Sequence, residues 1–384
     1  MIQMQKTTIQ TYLKQNMVLT ISGLLAILSM LLIPPSIRYI EYIDFRVLTL
    51  LFCLMLVVSG LQKTGLFHAV STSLLKKARS IRQLSLILIF ISFLGSMFIT
   101  NDVALIAFVP FTILVLQQAS QENESCKQVH SHVLIMIIVF QTIFANLGSM
   151  LTPIGNPQNL YLYSLSNMSL FEFFQYTLPL TLLSFVILLL SCRFCIPNIP
   201  IQIPHTKAPS VERKSLLQNS ILFFLCLLTV AHILPWQLLL ILLSIAVFLF
   251  DKRLFFSVDY GLLATFLFFF IFIGNMSEFS LVKNLLQNLL EGKEILVSSL
   301  TSQVISNVPC AILLSNFTTS YGKLLVGVNI GGLGTLIASL ASLISWQQYR
   351  TIAHANPRKY FITFTIYNVV FFLILLGFSL IYYG

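Results

Sequence analysis

Apolar residues fill this chain in long unbroken blocks separated by short polar stretches, without the alternation expected of half-buried strands. Blocks of about 17–25 apolar residues are long enough to cross a bilayer as helices. Segments 17–34, 45–62, 177–196, 216–234, 236–250, 261–277 and 361–382 predict such helices directly. The first follows Lys6 and Lys14 and has no small-residue cleavage site, so it reads as a permanent anchor and not as a signal peptide.

Three longer stretches are interrupted. Residues 84–118 contain Thr100-Asn101-Asp102, and residues 131–164 contain Gly148, Pro153, Gly155 and Pro157. Residues 296–346 contain Ser306-Asn307-Val308-Pro309 and then Gly331, Gly332 and Gly334. Polar or glycine-rich backbone survives at membrane depth only when buried in protein or lining a cavity. Discontinuous helices of this kind form the binding sites of transporters. The pattern therefore predicts an all-α polytopic membrane protein with re-entrant hairpins at 84–118 and 296–318 and broken helices at 131–164 and 324–346.

The interruptions recur. Residues 44–67 align without a gap to 259–282, the segment from Ser96 aligns to that from Ser302, and the segment from Ala145 aligns to that from Val328. Asn101 then matches Asn307, Asn146 matches Asn329 and Thr152 matches Thr335, and the three alignments have offsets of 215, 206 and 183 residues in chain order. Three matches in one order imply a duplication. Residues 1–196 form the expected first repeat, 197–235 a cytoplasmic loop and linker span, and 236–384 the second repeat.

Composition and charge narrow the class. Of 384 residues 57% are hydrophobic and 9% charged, against about 25% charged in a soluble domain. Soluble enzymes, disordered scaffolds and nucleic-acid binders are excluded. The net charge of +10 follows membrane orientation: with nine full spans and a cytoplasmic N-terminus, 17 of the 22 Lys and Arg fall on the cytoplasmic side and 5 outside. That topology inverts the second repeat relative to the first, leaves the C-terminus external, and suits alternating access. The six Cys are scattered and form no disulfide framework.

Candidate chemistry gathers at the interruptions. Eleven of the twelve acids lie in loops or at span ends, and only Asp102 sits deep in an apolar run. A charge there costs about 2.5–3.5 kcal/mol on insertion scales, so Asp102 calls for a cation or a proton, or else caps the following helix. Ser96, Thr100 and Asn101 are matched by Ser302, Ser306 and Asn307. Residues four apart share a helix face, so each tip presents two hydroxyls and a neutral amide. Helix N-termini attract anions, while hydroxyls and loose carbonyls ligate a cation. Pro157 cannot continue a helix, which leaves the amides around Asn156 to bind a ligand or to satisfy the broken backbone. In the matching segment Ala338–Ser342, Ala341 and Ser342 read as packing positions. Isolated His68 and His232 offer no catalytic pair, so no enzyme is expected.

Thr100-Asn101-Asp102, Ser306-Asn307-Val308-Pro309 and Ile154-Gly155-Asn156-Pro157-Gln158-Asn159 together resemble the ion transporter superfamily. Its members include divalent-anion/sodium symporters, citrate transporters, arsenite permeases and a sodium/proton antiporter family. The chain most resembles its citrate-transporter-like bacterial inner-membrane permeases. The resemblance implies substrate at the hairpin tips and a sodium ion at each tip. It also implies a homodimer in which a transport domain slides against a scaffold. Carried over, one sodium site is Ser96, Thr100, Asn101 and Gly155, and the other is Ser302, Ser306, Asn307 and Ala338. Asp102 joins the first as a coupling group. Candidate substrate-binding residues are Thr100, Asn101, Asp102, Asn156, Pro157, Ser306, Asn307 and Val308. The chain departs from the symporter pattern where Thr100 replaces Ser, and where Asp102 and Val308 replace two Thr.

The expected activity is secondary transport of a small anion (a di- or tricarboxylate or similar) across a bacterial cytoplasmic membrane, coupled to Na+ or H+. No cofactor is expected beyond Na+ as coupling ion, and the expected partners are the anion, the lipid bilayer and a second protomer. Arsenite or antimonite efflux and Na+/H+ antiport are the alternatives.

Overall fold

A computed structural model describes residues 17–75, 78–122, 124–201, 210–352 and 355–384. Lys6, Lys14, Lys76, Lys77 and Lys207, which enter the charge count, lie outside the described residues. Among the described residues there is no β-strand, only an isolated bridge between Ser80 and Pro200.

Helices α1 (Met17–Leu32) and α2 (Tyr39–Tyr42) lead into α3 (Phe45–Lys63) and the short α4 (Leu66–Leu75). Helices α5 (Ile81–Ile99) and α6 (Asn101–Glu122) pack against each other and are separated only by Thr100. The next pair is α7 (Glu124–Ser149) and α8 (Pro157–Ser166), followed by α9 (Leu170–Cys195) and α10 (Arg213–Val230). Helices α11 (Trp236–Asp251), α12 (Tyr260–Ser277) and α13 (Ser280–Leu290) precede α14 (Glu294–Ile305) and α15 (Asn307–Ser315), which only Ser306 separates. The chain ends with α16 (Tyr321–Ile330), α17 (Leu340–Arg350) and α18 (Pro357–Tyr382).

Seven of these helices are long and apolar enough to cross a membrane: α3, α5, the His132–Ser149 part of α7, α9, α10, α12 and α18. Shorter apolar helices cover Val18–Leu32, Asn101–Gln117 and Glu294–Ile305. Leu178, Leu182, Val186 and Leu189 form an exposed apolar stripe along α9, as a lipid-facing helix requires. The protein is an all-α, multi-pass membrane protein. Helix α9 begins earlier than the apolar run at 177 suggests, because the Ser169 hydroxyl accepts the Glu172 N–H and caps it.

The described chain forms two compact units. One comprises residues up to Ser59 together with Leu222–Glu291 and Ile312–Thr319. Its buried Asn275 on α12 donates to Ser29 Oγ and Tyr39 Oη, both at 2.9 Å, which ties α1 and α2 to α12. The other unit comprises Gly60–Ile221, Gly292–Ala311 and Ser320–Gly384, and it contains every candidate site residue.

Helix α7 is the axis of that second unit. Its His132–Ser149 window is 94% buried, against 33% for the apolar window of α9. A helix apolar all round is stable only when surrounded, and α5, α6, α9, α16, α17 and α18 all pack on α7. Phe140 and Phe144 fill its contact with Tyr367 and Phe371 of α18. Gln141 Nε2 donates to the Leu88 carbonyl (3.2 Å) and to Ser92 Oγ (3.0 Å), fixing α7 against α5. The close approach depends on Gly148, where a Cβ would lie 2.1 Å from the Phe93 carbonyl oxygen and 2.6 Å from Ser96 Oγ.

Gly148→Ala is therefore expected to lower the melting temperature of detergent-purified protein sharply, because a backbone carbonyl cannot give way. Gly377 in α18 has nothing within 4 Å of an added Cβ. Gly377→Ala should stabilise by about 0.5–1 kcal/mol through helix propensity. Equal melting of the two variants would contradict this packing.

Candidate functional site

Each interruption begins with one residue in a conformation L side chains avoid. Thr100 has φ 68° and ψ 152°, and Ser306 has φ 74° and ψ 154°. A β-branched residue at positive φ is an outlier, and such strain costs about 1–3 kcal/mol unless the surroundings enforce it. Here the enforcing contacts are the same at both tips. The Asn101 N–H donates to the Gly155 carbonyl (3.1 Å), and the Asn307 N–H donates to the Ala338 carbonyl (3.0 Å). Thr152 Oγ1 donates to the Met97 carbonyl (2.5 Å), and Thr335 Oγ1 donates to the Gln303 carbonyl (3.0 Å). Ser96 lies against Gly148 and Ser302 against Gly331, where an added Cβ would meet the serine oxygens at 2.6 and 2.5 Å. All these pairs obey the 206- and 183-residue offsets of the sequence alignment.

The broken helices behind the tips restart at Asn156 and Ser339. Asn156 is extended (φ −157°, ψ 159°), accepts the Asn159 N–H through its side chain, and is followed by Pro157 at the first helical position of α8. Proline there sacrifices only a donor the helix could not use. Ser339 precedes α17 in the same extended conformation but makes no side-chain cap bond.

Asparagines join the four elements. Asn146, near the end of α7, accepts through Oδ1 from Asn101 Nδ2 (2.7 Å) and from Ser339 Oγ (3.0 Å). Asn329, its counterpart near the end of α16, accepts through Oδ1 from Asn156 Nδ2 (3.0 Å) and donates to Asn159 Oδ1 (2.7 Å). The links cross over: residue 156 of the first segment reaches 329 of the second, and residue 339 of the second reaches 146 of the first. Asn101, Asn146, Asn156, Asn159, Asn307, Asn329 and Ser339 are all buried.

The structure thus brings Asn101 to Gly155 at the first tip and Ser306 and Asn307 to Ala338 at the second, with the crossed Asn146–Ser339 and Asn156–Asn329 bonds joining the broken helices behind them. Ser306 Oγ also reaches the Ala338 carbonyl (3.3 Å). Asp102 is half-buried in the first turn of α6, where the helix dipole favours a carboxylate. Val308 is buried in the first turn of α15 and supplies no polar atom but its backbone. Ser96 Oγ and Ser302 Oγ donate back to the carbonyls of Phe93 (2.9 Å) and Ser298 (2.7 Å), leaving their lone pairs as acceptors. The Gly155 and Ala338 carbonyls each keep a second lone pair beyond the N–H they accept. Oxygen atoms of this kind suit a hard cation. Among the described residues no cluster of His, Cys, Asp and Glu suits a transition metal.

Sequence reasoning did not assign a role to Asn146, Asn159, Asn329 or Ser339. The alignment did pair Asn146 with Asn329, and two asparagines at matched positions of apolar helices are a signal of polar function.

A family described as citrate transporter matches residues 9–323. An uncharacterized transporter of Methanocaldococcus jannaschii, MJ0456, is 31% identical over 84% of this chain and 86% of its own length. The inner membrane protein YbiR of Escherichia coli K12 is 32% identical over 85% of this chain and 84% of its own length. The rice silicon efflux transporter LSI3 is 31% identical over 40% of this chain and 30% of its own.

Removing the Asn329 side chain should strip Asn156 Nδ2 of its bond across the repeats and Asn159 Oδ1 of its donor. A buried polar atom left unsatisfied costs about 1–3 kcal/mol. Asn329→Ala is expected to melt well below wild type, and an unchanged melting temperature would contradict the network.

Proposed function

Because the chain belongs to the citrate transporter family, we propose that this membrane transporter is a secondary carrier of a small anion, of the di- or tricarboxylate class, working by alternating access. The observation that carries the reading is the matched pair of tips, each opening a helix N-terminus beside neutral amides and hydroxyls. Oriented N–H groups and helix dipoles hold a carboxylate without needing Arg or Lys. Thr100, Asn101, Asn156, Ser306 and Asn307 are its proposed contacts, with backbone around Pro157 and Val308.

Coupling falls to Na+ or H+ at the same tips. The oxygens of Ser96, Thr100, Asn101 and Gly155, and of Ser302, Ser306, Asn307 and Ala338, form two proposed cation sites. Asp102 supplies the carboxylate whose charge changes with cation or proton occupancy. In this reading residues 1–196 and 236–384 are repeats of opposite orientation joined by 197–235, and two protomers pair in the bilayer.

A second reading is efflux of a neutral hydroxide such as arsenite or antimonite. It is favoured by a hydrogen-bonded network without a Lys or Arg among the described residues, and by the likeness to a relative named for silicon efflux.

Proteoliposome uptake of citrate, succinate, sulfate and arsenite, as a function of sodium and pH, tests both readings. Concentrative anion uptake driven by sodium or protons is expected. Asp102→Asn should abolish accumulation while sparing exchange if protons drive uptake, or raise the half-saturating sodium concentration if sodium does. Asn caps a helix nearly as well as Asp, so unchanged accumulation at unchanged sodium dependence would remove Asp102 from coupling. Uptake of arsenite with no response to the carboxylates or sulfate would favour the second reading.

A further inference from the structure

The two broken-helix junctions share one plan and differ in their polar side chains. At the first, Asn159 Oδ1 accepts from Asn329 Nδ2 at 2.7 Å, and Asn159 Nδ2 spreads over the carbonyls of Ser149, Met150 and Thr152. The 183-residue offset replaces Asn159 by Ser342 and Asn329 by Asn146. The corresponding bond does not form. Asn146 Nδ2 and Ser342 Oγ are both buried and neither has a hydrogen-bond partner.

Both atoms lie beside the first turn of α17. Asn146 Oδ1 accepts from Ser339, so its amide lies against the start of α17, and Ser342 sits in the first turn of that helix. A serine side chain has two heavy atoms fewer than asparagine, a difference comparable to the ~30 Å³ share of one water molecule. The helix end differs as well. Asn156 caps α8 by accepting the Asn159 N–H through its side chain, whereas Ser339 spends its hydroxyl as a donor to Asn146 and accepts the Ser342 N–H only through its backbone carbonyl (3.1 Å). The first junction is thus closed by its own side chains. The second presents the first turn of an 11-residue helix without a side-chain cap, an amide N–H2 and a hydroxyl. The amide nitrogen can only donate, and the helix end attracts negative charge, so the group that fits is an acceptor oxygen.

We propose that Asn146 Nδ2, Ser342 Oγ and the N-terminus of α17 form a subsite for one oxygen of the transported oxyanion. The two pseudo-equivalent junctions then hold the substrate unequally, with the second acting as the anchor. Asn146 and Ser342 are specificity-determining residues in this scheme, and the scheme rests on the anion-transport reading above.

Ser342→Asn rebuilds the closed junction, and Ser342→Ala removes the hydroxyl without filling the space. Purified full-length protein is melted with increasing citrate, succinate or sulfate, and the concentration giving half of the maximal shift is compared between variants. Ser342→Asn should melt higher than wild type without anion, since it satisfies both buried atoms, yet need at least ten times more anion. Ser342→Ala should keep the wild-type melting temperature and need several-fold more anion. Where Ser342→Asn does not fold, Ser342→Ala decides alone. Higher melting of Ser342→Asn with an unchanged anion requirement would mean that the gap holds only water, and would overturn the subsite. An unchanged anion requirement in Ser342→Ala would overturn it too. A wild-type protein that none of the three anions stabilises would overturn the transport reading and the subsite together. A wild-type response that the variants share would overturn the subsite alone.

Discussion

Backbone groups freed by a broken helix inside a bilayer must find partners within the protein, and this constraint organises the second unit. Each tip solves it with the N–H of an asparagine donated to the carbonyl of a facing broken helix: Asn101 to Gly155 and Asn307 to Ala338. Those bonds hold Thr100 and Ser306 in a strained conformation that neither would adopt alone. They also require close backbone approach, which explains Gly148 and Gly331 beside Ser96 and Ser302. Strain, glycines and hydroxyls are consequences of one requirement met twice.

Neutral groups supply nearly all of the polarity. Asn146 and Asn329 bridge the tips to the restarted helices through side-chain amides that both donate and accept. An amide network binds an ion without permanently carrying the opposite charge, so the same site is able to exist loaded or empty. Asp102 adds a charge at one tip, where Val308 stands at the other. The Asn159–Ser342 difference adds a second asymmetry. The two tips thus share one backbone plan and differ in the side chains at 102/308 and 159/342.

Much of this was legible in the sequence. Polar and glycine interruptions marked the breaks, and the tips fall at Thr100 and Ser306 as the motifs indicate. Burial was not legible. Windows in α7 and α9 have hydropathies of 1.7 and 2.1, yet α7 is the core axis and α9 largely faces outward. Lipid is as apolar as a protein interior, so hydropathy does not separate the two. The crossed links from Asn156 to Asn329 and from Ser339 to Asn146 were hidden for another reason. They join residues 173 and 193 positions apart, and no local pattern encodes a partner at that distance. Ser342 reads locally as a packing position, and only its alignment with Asn159 at the other junction sets it apart.

The central claim is that both tips form one substrate site. Exchange of radiolabelled anion across proteoliposomes tests it most directly, using whichever anion the wild type takes up. Asn101→Ala and Asn307→Ala should each lose exchange almost completely, since each removes an amide from a shared site. Wild-type exchange by either variant, at unchanged affinity, would contradict the account.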